Sequence, residues 1–185
     1  MRVALLVLVV GLSACGRSEP DVDARNASVA EVAEQVRGAS KEAGFIRPGK
    51  WLSRITLEEV SAPGVPEQVR DQMKGMMAGQ KAYESCLTPE QAKRPNEDFF
   101  TGAESNCRYD HFRMGDGKID AKMQCKQGGV TQVMELDGSY SPDSYQMRMT
   151  TNTAGAAGAV AGMSMKMRVD SKRVGECGAA QSQDG

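Results

Sequence analysis

The chain has 185 residues, with 23 Lys and Arg against 24 Asp and Glu and a single His, a length that suits one modest domain. Its formal net charge is −1, with the two signs interspersed. That balance excludes the basic surface on which nucleic-acid recognition and electrostatic steering depend.

The first segment reads as a leader. Met1-Arg2 carries one positive charge, Val3 to Leu12 is apolar or Gly throughout, and the run is too short to span a bilayer as a helix. Leu12-Ser13-Ala14-Cys15 follows and resembles a bacterial lipobox, in which residues 1–14 are removed and the Cys15 thiol carries acyl chains such as palmitate. The other reading, an ordinary secretory signal cut after Ala14, puts bulky Leu12 where a small residue is wanted. Each buried methylene of an acyl chain contributes about 0.8 kcal/mol to anchoring. In the lipoprotein pattern, Gly16 rather than Asp after the Cys implies the outer membrane, facing the periplasm.

Residues 15–45 are expected to form a lipidated tether and stalk. Arg17 to Ala27 is polar and reads as a flexible spacer. Ser28-Val29-Ala30-Glu31 has capping-box spacing, and Val29, Val32, Ala33 and Val36 make one narrow stripe up to a stop at Gly44. So thin a stripe predicts a helix that docks loosely.

Residues 46–177 carry the domain. Trp51, Ile55 and Leu57 alternate with polar residues over Lys50 to Val60, the period of a half-buried strand. Pro66 then opens a helix reaching about Gln80, with Val69, Met73, Met76 and Met77 on one face. Thr88-Pro89-Glu90-Gln91 reads as a short helical turn and Phe99-Phe100 as an anchor into the core. Strands are predicted over Cys107 to Met114, Lys118 to Cys125, Val130 to Leu136, Ser144 to Thr151 and Met163 to Val169. Their links are Gly115-Asp116-Gly117, Gly128-Gly129, Asp137-Gly138 and the Ala/Gly-rich stretch from Thr153 to Gly162. The first of these strands has Phe112 and Met114 out of phase with Tyr109, which signals a bulge. The expected fold class is α+β: a curved antiparallel meander of about six strands covered by one Met-rich helix, with an N-terminal helical stalk. Residues 178–185 read as a disordered tail.

The cysteines fit an oxidising compartment. Of five, Cys15 goes to the lipid, leaving the even set Cys86, Cys107, Cys125 and Cys177. Three pairings of four are open. Counting outward from Asp116 sets position 107 opposite 125, so a cross-strand disulfide is available there in the absence of a bulge. That pairing leaves Cys86 with Cys177. No CxxC pair or His-Cys cluster points to zinc or redox chemistry.

Such staples are needed, because only 23 of the 171 residues from Cys15 onward are Leu, Ile, Val or Phe, a share low enough to threaten a packed core. Eleven Met remain in that span and take over apolar positions. Met163, Met165 and Met167 project from one face of a strand, Met147 and Met149 from a neighbour, and Met73, Met76 and Met77 from the helix. Three readings compete: a core of flexible side chains, an adaptable groove for a lipid or other hydrophobic small molecule, and a copper(I) site built from soft thioethers. His111 stands alone, with no second His for a dyad or metal triad, and Asp116-Gly117-Lys118-Ile119-Asp120 lacks the spacing of a calcium loop. No phosphate loop, nucleophile elbow or paired-carboxylate signature occurs. No catalytic residue and no cofactor is therefore assigned, and the chain reads as a binding or structural protein, not an enzyme.

Several of these stretches come together in one order: Pro48-Gly49-Lys50-Trp51, the Met-rich helix, Cys86-Leu87-Thr88-Pro89-Glu90-Gln91, Cys107, Gly117-Lys118-Ile119-Asp120, Cys125, Gly138-Ser139-Tyr140 and Arg173-Val174-Gly175-Glu176-Cys177. Over residues 46 to 177 the chain resembles the periplasmic proteins grouped as domain of unknown function 3617. The resemblance implies a periplasmic location and a shared cysteine framework, and it carries no activity. The leading expectation is thus an envelope lipoprotein, membrane-bound through Cys15, that binds a hydrophobic ligand on its Met face; a purely structural or partner-binding lipoprotein is the alternative.

Overall fold

The computed structural model describes residues 21–42, 45–78, 82–93, 106–155 and 162–178. Among these residues eight antiparallel strands form one sheet: β1 (Val22–Ser28), β2 (Gly49–Ser61), β3 (Tyr83–Leu87), β4 (Cys107–Gly115), β5 (Lys118–Gln127), β6 (Val130–Ser141), β7 (Ser144–Ala154) and β8 (Ser164–Gly175). Their order is β1-β4-β5-β6-β7-β8-β2-β3. Three helices accompany them, α1 (Val29–Glu42), α2 (Glu67–Ala78) and the single-turn α3 (Pro89–Lys93). The expectation of a six-stranded α+β sheet beneath one Met-rich helix is therefore wrong. The fold is mostly β, α2 lies against β2, and the helix that packs on β1 and β4 is α1.

Short links dictate the meander from β4 to β8. At the first turn Asp116 and Gly117 have φ of 49° and 68°, the left-handed pair that a two-residue hairpin loop requires. Gly115 accordingly faces Lys118, one residue tighter than the expected three-residue loop. Gly128-Gly129 joins β5 to β6. The expected turn at Asp137-Gly138 does not exist: both residues pair within β6, and the chain reverses at Pro142-Asp143, where the Ser144 N–H donates to Ser141 Oγ at 3.1 Å. A β-bulge lies between Tyr109 and His111, where the phase of the apolar residues breaks. The bulge and the tighter turn offset one another by one residue each, so Cys107 still faces Cys125.

The stalk reading is also corrected. Val22–Ser28 is an edge strand running along β4, with Val22 opposite Met114 and Ala24 opposite Phe112. Its apolar side consists of one Val and two Ala, too little side chain to stand out from polar neighbours in a sequence. At its end the expected capping box forms: the Ser28 N–H donates to Glu31 Oε2 at 2.7 Å and the Glu31 N–H to Ser28 Oγ at 3.2 Å. These bonds, the Ser28 N–H first among them, hold the Glu31 carboxyl below the ordinary range. Helix α1 then buries Val32 and Val36 against Val22, Tyr109, Phe112, Ile119 and Met123. Phe112 is 1 % exposed and Val32 0 %, so residues once assigned to the stalk are among the most buried in the protein.

Residue Phe45, just past α1, joins this core and meets Tyr140 edge-on with ring centroids 5.7 Å apart. The expected helical turn at Thr88–Gln91 forms as α3, capped by reciprocal Thr88 and Gln91 bonds of 2.9 and 3.2 Å that the sequence reading did not name. Cys15, Phe99, Phe100, the Ala-rich stretch 156–161 and the tail 179–185 lie outside the described residues.

Candidate functional site

One face of the sheet is apolar from β1 to β2, and the strand register shows how it continues beyond the helix-covered core. Leu136 on β6 faces Met149 on β7, Met149 faces Met167 on β8, and Met167 faces Leu57 on β2. In the next row Gly138, Met147, Val169 and Ile55 follow one another in the same way, and Thr151, Met165 and Val60 form a third. Ile55, Leu57, Met147, Met149, Met165, Met167 and Val169 are all half-buried. The fully buried apolar residues concentrate instead under α1, on β1, β4 and β5. Five of the expected ligand-lining methionines, Met147, Met149, Met163, Met165 and Met167, thus belong to β7, to β8 or, for Met163, to the residue just before β8. Positions 73, 76 and 77 lie on α2, at the β2 side of the sheet; their side chains fall outside the described residues.

The opposite face is a lattice of charges. Arg148 Nε reaches Glu58 Oε2 at 2.9 Å, Arg168 Nη2 reaches Asp170 Oδ1 at 2.8 Å, Lys122 Nζ reaches Glu135 Oε1 at 3.0 Å and Lys166 Nζ reaches Glu59 Oε2 at 3.4 Å. Arg148 and Arg168 hold the Glu58 and Asp170 carboxyls below their usual range through these hydrogen bonds. His111 takes part in the same lattice, with Nε2 2.9 Å from Asp120 Oδ1 and Arg113 3.9 Å from that oxygen. Among the described residues no hydroxyl or thiol hydrogen-bonds to His111, so the pair lacks a nucleophile and serves the wet face of the sheet. Exposed pairs of this kind contribute little to stability because solvent screens them, which makes them a solubility device more than a source of stability. Among the described residues no cluster of three or more His, Cys, Asp or Glu is placed to hold a metal ion.

A cleft of about 700 Å³ opens where β2, β7 and β8 meet the β6–β7 turn. Residues of β2, β6, β7 and β8 line it, among them Leu52, Arg54, Ser139, Ser144, Asp170 and Lys172. None of Met147, Met149, Met163, Met165 and Met167 lines it. Ser53 and Ser171 form a hydroxyl pair 2.7 Å apart, both buried. Sequence reasoning did not single out this place, because its residues are individually ordinary and come from four separate strands or turns.

Cys86, Cys177 and the Pro48–Trp51 and Arg173–Cys177 stretches meet at this same end of the sheet, whereas Cys107 and Cys125 lie at the opposite end, beside the β5–β6 turn. Cys86 on β3 and Cys177 just past β8 are bonded, with Cα atoms 5.6 Å apart, and so span the start of β2. Cys107 and Cys125 are bonded across β4 and β5, Cα atoms 4.0 Å apart. Arg173 Nε donates to the Pro48 carbonyl at 2.7 Å, and Trp51 Nε1 to the Arg47 carbonyl at 3.1 Å. The Trp51 ring lies 5.7 Å from that of Tyr145. Pro48-Gly49-Lys50-Trp51 and the Gly175-Glu176-Cys177 end are thus parts of one staple that closes the sheet, a structural task with no reacting group in it. No curated protein and no solved structure matches the chain. The profile of the family described as Protein of unknown function (DUF3617) matches residues 46–177, and the chain belongs to that family.

Proposed function

We propose that this protein is an envelope lipoprotein, anchored through an acylated Cys15 at the periplasmic side of the outer membrane, which holds a hydrophobic ligand against the Met-rich half of its sheet. Binding, not catalysis, is its task. The observation that carries the reading is the continuous half-buried patch made by Ile55, Leu57, Met147, Met149, Met165, Met167 and Val169. Contiguous exposed apolar surface of this kind marks an interaction site more often than scattered single residues do. Thioether side chains adapt to varied apolar shapes, which suits a ligand with flexible chains. The lipobox-like Leu12-Ser13-Ala14-Cys15 and two disulfides support the envelope setting.

Native mass spectrometry of the mature chain, exported to a periplasm without acylation, tests the reading. A lipid-sized adduct that survives purification, and that is lost in Met167→Lys, is expected. A bare mass carrying two disulfides, together with no binding of N-phenyl-1-naphthylamine, would overturn ligand binding and leave a structural or partner-binding lipoprotein.

A further inference from the structure

The end of the sheet at which β1 opens carries the 700 Å³ cleft. Val22 faces Met114 beside the β4–β5 turn, and the pairs Lys118–Ser139, Ser141–Ser144, Ser144–Lys172 and Leu52–Lys172 continue the same sheet end across to the cleft. Seven positions separate Cys15 from Val22. A chain of that length spans at most about 25 Å. From β1 to β8 the sheet makes five interstrand steps, about 24 Å across. Incorporation of Val22–Ser28 into the sheet therefore replaces a long tether with a short one, and an acyl anchor on Cys15 keeps this end of the protein at the bilayer surface.

The cleft at that end carries two cations that form no ion pair among the described residues. Across the wet face Arg148, Arg168, Lys166 and Lys122 each meet a carboxylate, yet among the described residues Arg54 and Lys172 meet none. Both are exposed and both line the cleft. The carboxylate beside them, Asp170, is occupied by Arg168 and by the Gln146 amide. Exposed Ser139 and Ser144 add hydroxyl donors to the rim. A guanidinium, an ammonium and hydroxyls around an open cleft form a set that recognises phosphate oxygens.

The geometry points to docking of this sheet end on anionic phospholipid headgroups of the membrane that anchors the chain, with Arg54 and Lys172 as the contacting cations. This inference rests on acylation of Cys15. The test uses the acylated full-length mature protein, reconstituted into vesicles of phosphatidylcholine alone or with phosphatidylglycerol added. Its intact mass, measured first, reports whether Cys15 is acylated, so failure of the anchor is seen separately from failure of docking. Lysines are then modified with a water-soluble acetylating ester and their rates read residue by residue. Lys172 should react about fivefold more slowly on the anionic vesicles, while Lys126, at the far end of the sheet beside the β5–β6 turn, keeps its rate. High salt or Arg54→Glu should remove the difference. Equal rates for Lys172 on the two vesicles would overturn the inference. So would equal slowing by soluble glycerol phosphate on phosphatidylcholine vesicles, which would mark a free-anion site instead.

Discussion

At Gly138 a Cβ atom would stand 3.0 Å from the Met147 Cα and still closer to the Gln146 carbonyl oxygen, both of them backbone atoms of β7. The glycine is required because two strands approach closely, not because the chain turns there. Gly138→Ala should therefore cost about 1–3 kcal/mol, seen as a lower urea midpoint with an unchanged slope; an unaltered midpoint would remove the close-approach account. Tyr109 supplies a second prediction. Burial raises its phenol to about 12, where it packs edge-on against Phe112 with centroids 5.5 Å apart. Below pH 10 the phenol is protonated in folded and unfolded chains alike. Between about 10 and 12 the unfolded chain releases this proton and the folded one keeps it, so stability falls as pH rises through that window. Tyrosinate absorbance should show a tyrosine titrating late, and Tyr109→Phe should remove that late contribution.

Local signals settled several elements outright. The Ser28 and Glu31 cap forms as its spacing requires, because it joins neighbours three residues apart and no distant contact needs to assist; the Thr88 and Gln91 pair repeats the same arrangement at α3. Strand β3 was missed for the opposite reason: it is a five-residue edge whose Tyr83, Glu84 and Ser85 are exposed, so no alternation announces it. Its attachment depends on pairing with β2 and on the Cys86–Cys177 bond. That disulfide closes a loop of 91 residues against 18 for Cys107–Cys125. In chain-entropy terms its loss costs about 1.4 kcal/mol more. Melting of the double Ser variants should rank Cys86→Ser/Cys177→Ser as the less stable; the reverse order would show that β3 contributes little beyond its covalent tie.

Taken as a whole, the molecule has two unequal halves on one sheet. Where α1 lies across β1 and β4 the apolar face is sealed, and this seal is made by residues 22–45, upstream of the span that matches the family. A chain limited to residues 46–177 would expose Tyr109, Phe112, Ile119 and Met123 at an uncovered face. It should form both disulfides on oxidation yet bind a hydrophobic dye and lose its cooperative melt, whereas residues 16–185 melt in one step. A cooperative melt in the shorter chain would mean that β1 and α1 are accessory. Over β7, β8 and β2 the apolar face stays half-buried, and the ligand-binding reading draws on that half.

The sequence by itself determined the staples, the α1 cap, the strand periods and the Met alternation, because these depend on residues close together or on a repeat of two that leaves little choice of face. Family membership over residues 46–177 was legible from motif order alone. Tertiary structure decided the rest. A strand of Val and Ala shows itself only when β4 pairs with it, and a narrow valine stripe becomes core only when a sheet lies beneath it. Gly138 reveals its role only when β7 passes close by. Which methionines are sealed and which stay half-open depends on where α1 ends, a contact between segments some 100 residues apart in the chain, as Val22 and Met114 are, and no local pattern encodes it.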